Sequence, residues 1–179
     1  MFRKIDIRTK GSKNAGFTNA LRFLGTKISI LVFAFDFSKG IIGMFICQIF
    51  GKMLNLDLGM CLLISGICLV LGHDFPIFFE FKGGKGVLTS LAVILYLSPI
   101  ISLICLISWI LTIKLSRYVS LGACVAALIY LIVGILVYHT SVYYCIFIIT
   151  ISGLIIWNHR ANIKRLINCN ENKSNWFNR

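Results

Sequence analysis

The strongest constraint on this chain is a rhythm of apolar runs. From Ile28 to Trp157 they follow one another with only short polar breaks, near 28–50, 58–72, 87–98, 100–114, 119–138 and 141–157. Runs of this length and polarity suit the hydrocarbon core of a bilayer. Lipid offers no hydrogen bonds, so a crossing segment must satisfy its own N–H and C=O groups, and a helix does so within itself. The expected fold is therefore all-α, a polytopic integral membrane helical bundle of about six transmembrane helices. It is expected to be a single domain over residues 1–179 with no soluble appendage. The third and fourth runs are short and meet at Ser98-Pro99, which predicts a tight hairpin of helices.

Composition agrees. Of 179 residues, 58% are hydrophobic and only six are acidic, which excludes a soluble core with a solvated surface. The net charge of +12 would elsewhere suggest nucleic acid. Here the basic residues fall in the breaks between apolar runs, so membrane lipid, not nucleic acid, is the expected partner. Seven cysteines (Cys47, Cys61, Cys68, Cys105, Cys124, Cys145 and Cys169) form no CxxC pair, and most sit inside apolar runs. There they act as small hydrophobes, and neither a metal site nor any cofactor is expected. The N-terminus is polar and basic for more than twenty residues, unlike a signal peptide.

Positive charge sets orientation. It gathers at the N-terminus (Arg3, Lys4, Arg8, Lys10, Lys13, Arg22, Lys27), at Lys82 and Lys85, at Lys114 and Arg117, and in the tail (Arg160, Lys164, Arg165, Lys173, Arg179). The opposite connections carry almost none, Lys52 excepted. Six spans would then place both termini, and every polar stretch, on the cytoplasmic face.

Three of those stretches carry chemistry. In GSKNAGFTNALRFLG, Gly11, Ser12, Asn14 and Gly16 make a flexible turn rich in donors. Thr18 is placed to cap a helix, with Asn19 and Arg22 one turn apart on one face. This is either a phosphate site, combining a helix N-terminus with an arginine fork, or a basic segment lying at the headgroups. In GHDFPIFFEFKGGKGVLTS, Gly83, Gly84 and Gly86 allow a close backbone approach with N–H groups turned to a ligand, and Lys82 and Lys85 add charge. A nucleotide loop of the form GxxxxGK is not met, because Phe79 stands at the first glycine position. The alternative is a positive-inside turn. His73 and Asp74 either add polar contacts or cap the second span. In WNHRANIKRLINCNENK, a helix puts His159, Asn162 and Leu166 on one side and Arg160 and Lys164 on another. His159 and Asn162 either point into a pocket or lie at the interface. Inside the first span, Asp36 and Lys39 lie three apart and are expected to form a structural ion pair, or secondly to line the site.

Together the stretches GSKNAGFTNALR, GHDFPIFFEFKGGKGVLT and HRANIKRLINCNENK resemble, in order and spacing, the motifs of the bacterial acyl-phosphate:glycerol-3-phosphate acyltransferase family. The resemblance covers essentially the whole chain. It departs at Lys13 and Phe17, where the family usually has Gly and Ala, at Leu88 in place of Ala, and at Cys169 in place of Gly. The family also usually carries one further helix before the first motif. Here the chain begins ten residues before Gly11, which suggests a truncated start or a reduced member.

The resemblance implies an integral enzyme that moves a fatty acyl group from acyl phosphate to the 1-hydroxyl of glycerol 3-phosphate, giving lysophosphatidate and phosphate. Ser12, Asn14, Asn19 and Arg22 would bind one phosphate or head group. Lys82, Gly83, Gly84, Lys85 and Gly86 would cradle the second. His159 and Asn162 would orient the attacking hydroxyl, with either His159 or the leaving phosphate taking its proton. Glu171 would fix the tail by pairing with a cation. The rivals are a small transporter or channel, favoured by Asp36 and Lys39 but lacking an internal repeat, and an inactive relative.

Overall fold

The computed structural model describes residues 6–12 and 14–174, without the Arg8 side chain. Arg3, Lys4, Lys13 and Arg179 of the charge pattern lie outside the described residues. A short 3-10 turn at Ile7–Thr9 leads into helices α1 (Phe17–Leu24), α2 (Thr26–Met53) and α3 (Leu58–Asp74). A second 3-10 turn, Ile77–Phe79, precedes α4 (Val87–Leu97). Then come α5 (Pro99–Ser116), α6 (Val119–Tyr138), α7 (Val142–Asn158) and α8 (Arg160–Ile167). The chain divides into two compact units, Met1–Val93 and Ile94–Arg179.

In the first unit α2 and α3 run antiparallel. Asp57 caps α3, its carboxylate accepting from the Met60 N–H at 2.8 Å. Contacts then descend α2 as they ascend α3. Gly51 lies against Leu58, Cys47 donates its thiol to the Cys61 carbonyl at 3.4 Å, and Gly43 lies against Leu69. At Gly43 a Cβ would meet the Leu69 side chain at 2.5 Å. Gly40 meets α4 in the same way, 2.7 Å from the Ala92 Cβ and 3.1 Å from the Thr89 carbonyl. Small residues at crossings are expected where lipid supplies no hydrophobic drive between helices and packing must hold them together. The rest of α2 presents Ile30, Phe35, Phe45 and Phe50 outward, as a lipid-facing helix does.

The second unit repeats this logic. Gly122 of α6 receives Trp109 and Ile113 of α5, and Gly134 receives Ile148 of α7. Ala127, Tyr130, Phe147 and Ile151 complete its core. Helix α8 leaves the direction of α7 by 56° at His159.

Each of the six apolar runs is one helix, within a few residues of its expected bounds. Fewer of them qualify as full spans by length and composition alone. Among the described residues four helices are long and apolar enough to span, or five if the bent α7–α8 pair counts as one. Helix α4 has 11 residues, roughly 16 Å at 1.5 Å per residue against a core of about 30 Å. Pro99 has no N–H to continue it, and Ala92 and Val93 are fully buried. Helix α4 is thus shorter than a full span and buried along one part, from Thr89 to Ile94, while Leu95 is exposed. Hydropathy alone does not separate such a helix from a span.

Candidate functional site

The polar centre of the first unit starts from Asn19, which is 2% exposed. Its Oδ1 accepts from the Ser12 N–H at 3.2 Å. Its Nδ2 donates to the carbonyls of Ile7 (2.9 Å), Lys10 (3.1 Å) and Asn14 (2.9 Å). The amide thus organises the loop from within. Gly11 closes against the same amide at φ 57, a conformation that favours glycine, and a Cβ there would meet the Phe23 ring. One local expectation is corrected. Thr18 does not cap α1: the N-cap is Gly16, without a side-chain cap. Asn19 and Arg22 both lie on α1, three apart, and differ in exposure: Asn19 turns inward while Arg22 is exposed. Among the described residues the Arg22 guanidinium has no protein partner. Phe17 packs its ring edge-on against Phe33 of α2, 5.8 Å between centroids.

Asn14 joins this loop to the glycine loop. Its Oδ1 accepts from the Gly16 N–H at 2.8 Å, and its Nδ2 donates to the Gly83 carbonyl at 3.4 Å. The glycine loop is arranged differently from the sequence expectation. The Gly83 N–H donates to the Asp74 carbonyl at 3.2 Å and the Gly84 N–H to the His73 carbonyl at 3.1 Å. These N–H groups complete the C-terminus of α3, whose last carbonyls lack helical partners, and do not turn to a ligand. The glycines serve close packing. A Cβ on Gly83 would collide with the His73 carbonyl, and one on Gly84 with the His73 ring. Gly86, at φ 73, packs beside Val70 and Asp74, and its carbonyl accepts from the Ser90 N–H at 2.7 Å to start α4. Lys85 is half-buried before α4, whereas Lys82 is exposed and pairs with Glu80 at 3.0 Å.

Asp36 and Lys39 pair at 2.6 Å. The sequence reading missed their third member. His73 Nδ1 lies 2.6 Å from Lys39 Nζ and 3.4 Å from Asp36 Oδ1. Thr89 Oγ1 donates to the Asp36 carbonyl at 3.2 Å. One signal existed: antiparallel neighbours joined by a short turn bring the start of one helix beside the end of the next.

In the second unit Glu171 gathers three donors: Ser120 Oγ at 3.0 Å, Asn162 Nδ2 at 2.7 Å and Arg165 Nε at 2.7 Å. Burial alone would raise its carboxyl pKa. The bonds from Asn162, Arg165 and Ser120, with the Arg165 charge, outweigh burial and hold it below its ordinary value. The Ser174 N–H donates to the Arg117 carbonyl at 2.7 Å and ties the tail to the α5–α6 turn. His159 and Asn162 are buried while Arg160 and Lys164 are exposed. His159 Nδ1 lies 2.8 Å from the Ile155 carbonyl. A carbonyl only accepts, so Nδ1 carries the proton and the neutral ring has its lone pair on Nε2.

Comparison with known proteins gives one result throughout. The family model described as glycerol-3-phosphate acyltransferase matches residues 1–169. A glycerol-3-phosphate acyltransferase of Thermoanaerobacter pseudethanolicus is 42% identical over 171 residues, 96% of this chain and 83% of that protein. One from Clostridioides difficile is 40% identical over 169 residues, 94% of this chain and 82% of that protein. Two crystal structures of PlsY (YgiH), an integral membrane glycerol 3-phosphate acyltransferase, share the fold. The glycerol 3-phosphate form has a TM-score of 0.85 at 38% identity, covering 96% of this chain and 84% of that one. The lysophosphatidic acid form has a TM-score of 0.79 at 40% identity, covering 91% and 81%.

Proposed function

The chain belongs to the glycerol-3-phosphate acyltransferase family, and from that premise we propose that it is the membrane enzyme that acylates glycerol 3-phosphate. The donor in this reading is acyl phosphate. The 1-hydroxyl oxygen attacks the acyl carbon and a tetrahedral oxyanion forms. The carbon–oxygen bond to phosphate then breaks, releasing lysophosphatidate and inorganic phosphate. The hydroxyl proton passes to His159 Nε2 or to the departing phosphate.

The observation that carries this reading is the Asn14–Gly83 bond. It joins two cation-bearing loops within one unit, and both substrates carry a phosphate. Arg22, without a protein partner among the described residues, is the proposed fork for one phosphate. Lys85 is the proposed charge for the other, with Ser12 as a hydroxyl donor. Lys82 contributes charge from the rim. Asn14, Asn19, Gly83, Gly84 and Gly86 build the loops that present them. His159 and Asn162 of the second unit are proposed to act on the attacking hydroxyl. The proposed location is a bacterial cell (inner) membrane, with these groups on the cytoplasmic side.

The test incubates purified protein with acyl phosphate and labelled glycerol 3-phosphate, with acyl-CoA and acyl-carrier protein as parallel donors. Labelled lysophosphatidate from acyl phosphate alone is expected. Product from a thioester donor instead overturns the donor assignment, and no product from any donor overturns the activity.

A further inference from the structure

The segment FPIFFEF, Phe75 to Phe81, has no part in the chemistry above. It nevertheless carries a dense exposed apolar cluster. Phe78 is 95% exposed, Ile77 76%, Phe81 61% and Phe79 54%. Hydrogen bonds to the Pro76 carbonyl from the Phe79 and Phe81 N–H groups fix its shape. Glu80 and Phe81 both stand in the left-handed region, at φ 54 and φ 59. That region is unfavourable for a bulky side chain and persists only where surroundings enforce it. The turn therefore holds its aromatic rings outward at a cost.

What covers the rings follows from what they continue. Helix α3 ends at Asp74, and after the non-helical Phe75 and Pro76 the 3-10 turn carries the apolar stretch on, so that the candidate span runs from Leu58 to Phe79. Exposed Ile64 lies on the same span, while Leu63, Val70 and Asp74 turn inward. The outward surface of a crossing helix meets lipid, so the cluster extends a lipid contact. Its far end is polar, with the exposed Lys82–Glu80 pair at 3.0 Å. An apolar body with a charged rim is the pattern of a segment seated at the boundary of acyl chains and headgroups. Within five residues of these rings come Gly83, Gly84 and Lys85, closed onto the end of α3.

We propose that Phe75–Phe81 is an interfacial lipid anchor. It inserts Ile77 and Phe78 into the leaflet and holds the Lys82–Gly86 loop at the headgroup depth from which a long-chain acyl phosphate is drawn. The second half of this statement rests on the acyltransferase reading; the first does not. The test therefore has two arms. In proteoliposomes, a Phe78→Trp variant and the parent are compared for fluorescence quenching by phospholipid brominated on its acyl chains. Quenching beyond that of the parent's own tryptophans is expected. Its absence overturns the anchor and points to another occupant, such as a soluble protein.

In the second arm Ile77→Ser/Phe78→Ser is assayed with a long-chain and with a water-soluble short-chain acyl phosphate. KM for the long-chain donor should rise roughly tenfold, which corresponds to about 1.4 kcal/mol of lost apolar burial. KM for glycerol 3-phosphate and turnover of the short-chain donor should hold. An equal loss with both donors, or no change with either, overturns the delivery role. Phe78→Leu should restore the long-chain KM. If the chain proves inactive with every donor, the quenching arm still decides the anchor.

Discussion

At the residue scale, Arg22 and the loop glycines separate binding from building. Arg22 is exposed and makes no hydrogen bond or ion pair among the described residues, so removing it should hardly disturb the fold. A charge-assisted bond to phosphate is worth about 1.5–3 kcal/mol, so Arg22→Ala should lower kcat/KM roughly ten- to hundredfold with an unchanged melting temperature. Arg22→Lys should recover only part, because the ammonium lacks the planar fork. Unaltered kinetics in both Arg22→Ala and Lys85→Ala would sink the phosphate assignment. Gly84 should behave oppositely. A Cβ there strikes the His73 ring, which Lys39 holds at 2.6 Å. Gly84→Ala should destabilise the protein by about 1–3 kcal/mol, the usual scale of overpacking, seen as a lower melting temperature alongside lost activity. The sequence singled out these residues and left their division of labour open. Three glycines beside two lysines announce a close approach, yet a string of letters does not say whether the neighbour is a ligand or the end of α3. The same gap hid the part of His73, because its partners Asp36 and Lys39 lie more than thirty positions away.

At the scale of elements, α8 and its tail are clasped by one carboxylate, beside the backbone tie from Ser174 to Arg117. Glu171 joins α6, through Ser120, to α8, through Asn162 and Arg165. Its pKa is lower in the fold than its ordinary value near 4.5. A lowered carboxyl pKa gives stability that is complete above the unfolded value and lost as pH falls through the folded one. The tail should therefore stay docked at neutral pH and down through pH 5, and release only under stronger acid. Glu171→Ala should reproduce the acid state at neutral pH. It strands three donors at about 1 kcal/mol each, so a cost of roughly 2–3 kcal/mol is expected, read as faster protease cleavage after Ile167 and a lower melting point. Equal cleavage of parent and variant at pH 7 would remove the clasp from the account. His159 sits on the same bend, where α7 ends and α8 begins. His159→Gln should lower kcat while leaving KM for glycerol 3-phosphate near its parental value if the ring takes the proton. Unchanged turnover would transfer that role to the leaving phosphate.

At the scale of the whole molecule, the helices were legible and the crossings were not. Runs such as 119–138 are long, uniformly apolar and bounded by polar breaks, so composition specifies both the element and its environment. Helix α4 has the same composition over 11 residues and is buried only in part. Nothing local distinguishes an apolar helix covered by protein from one covered by lipid. The difference matters, because orientation drawn from basic loops depends on the parity of spans. Positive charge nonetheless clusters at the N-terminus, at Lys114 and Arg117, and in the tail. Each Lys or Arg near an anionic surface favours the cytoplasmic leaflet by about 1 kcal/mol, so those three regions should agree, and their agreement requires α4 with its flanking turns to carry the chain across. Green fluorescent protein fused after Arg179 should therefore fluoresce, while alkaline phosphatase at the same point should stay inactive. A phosphatase fused in the Tyr138–Val142 connection, which carries no Lys or Arg, should be active. An active phosphatase after Arg179 would place Glu171 and its tail outside the cell, away from a cytoplasmic phosphate substrate, and would overturn the proposed location.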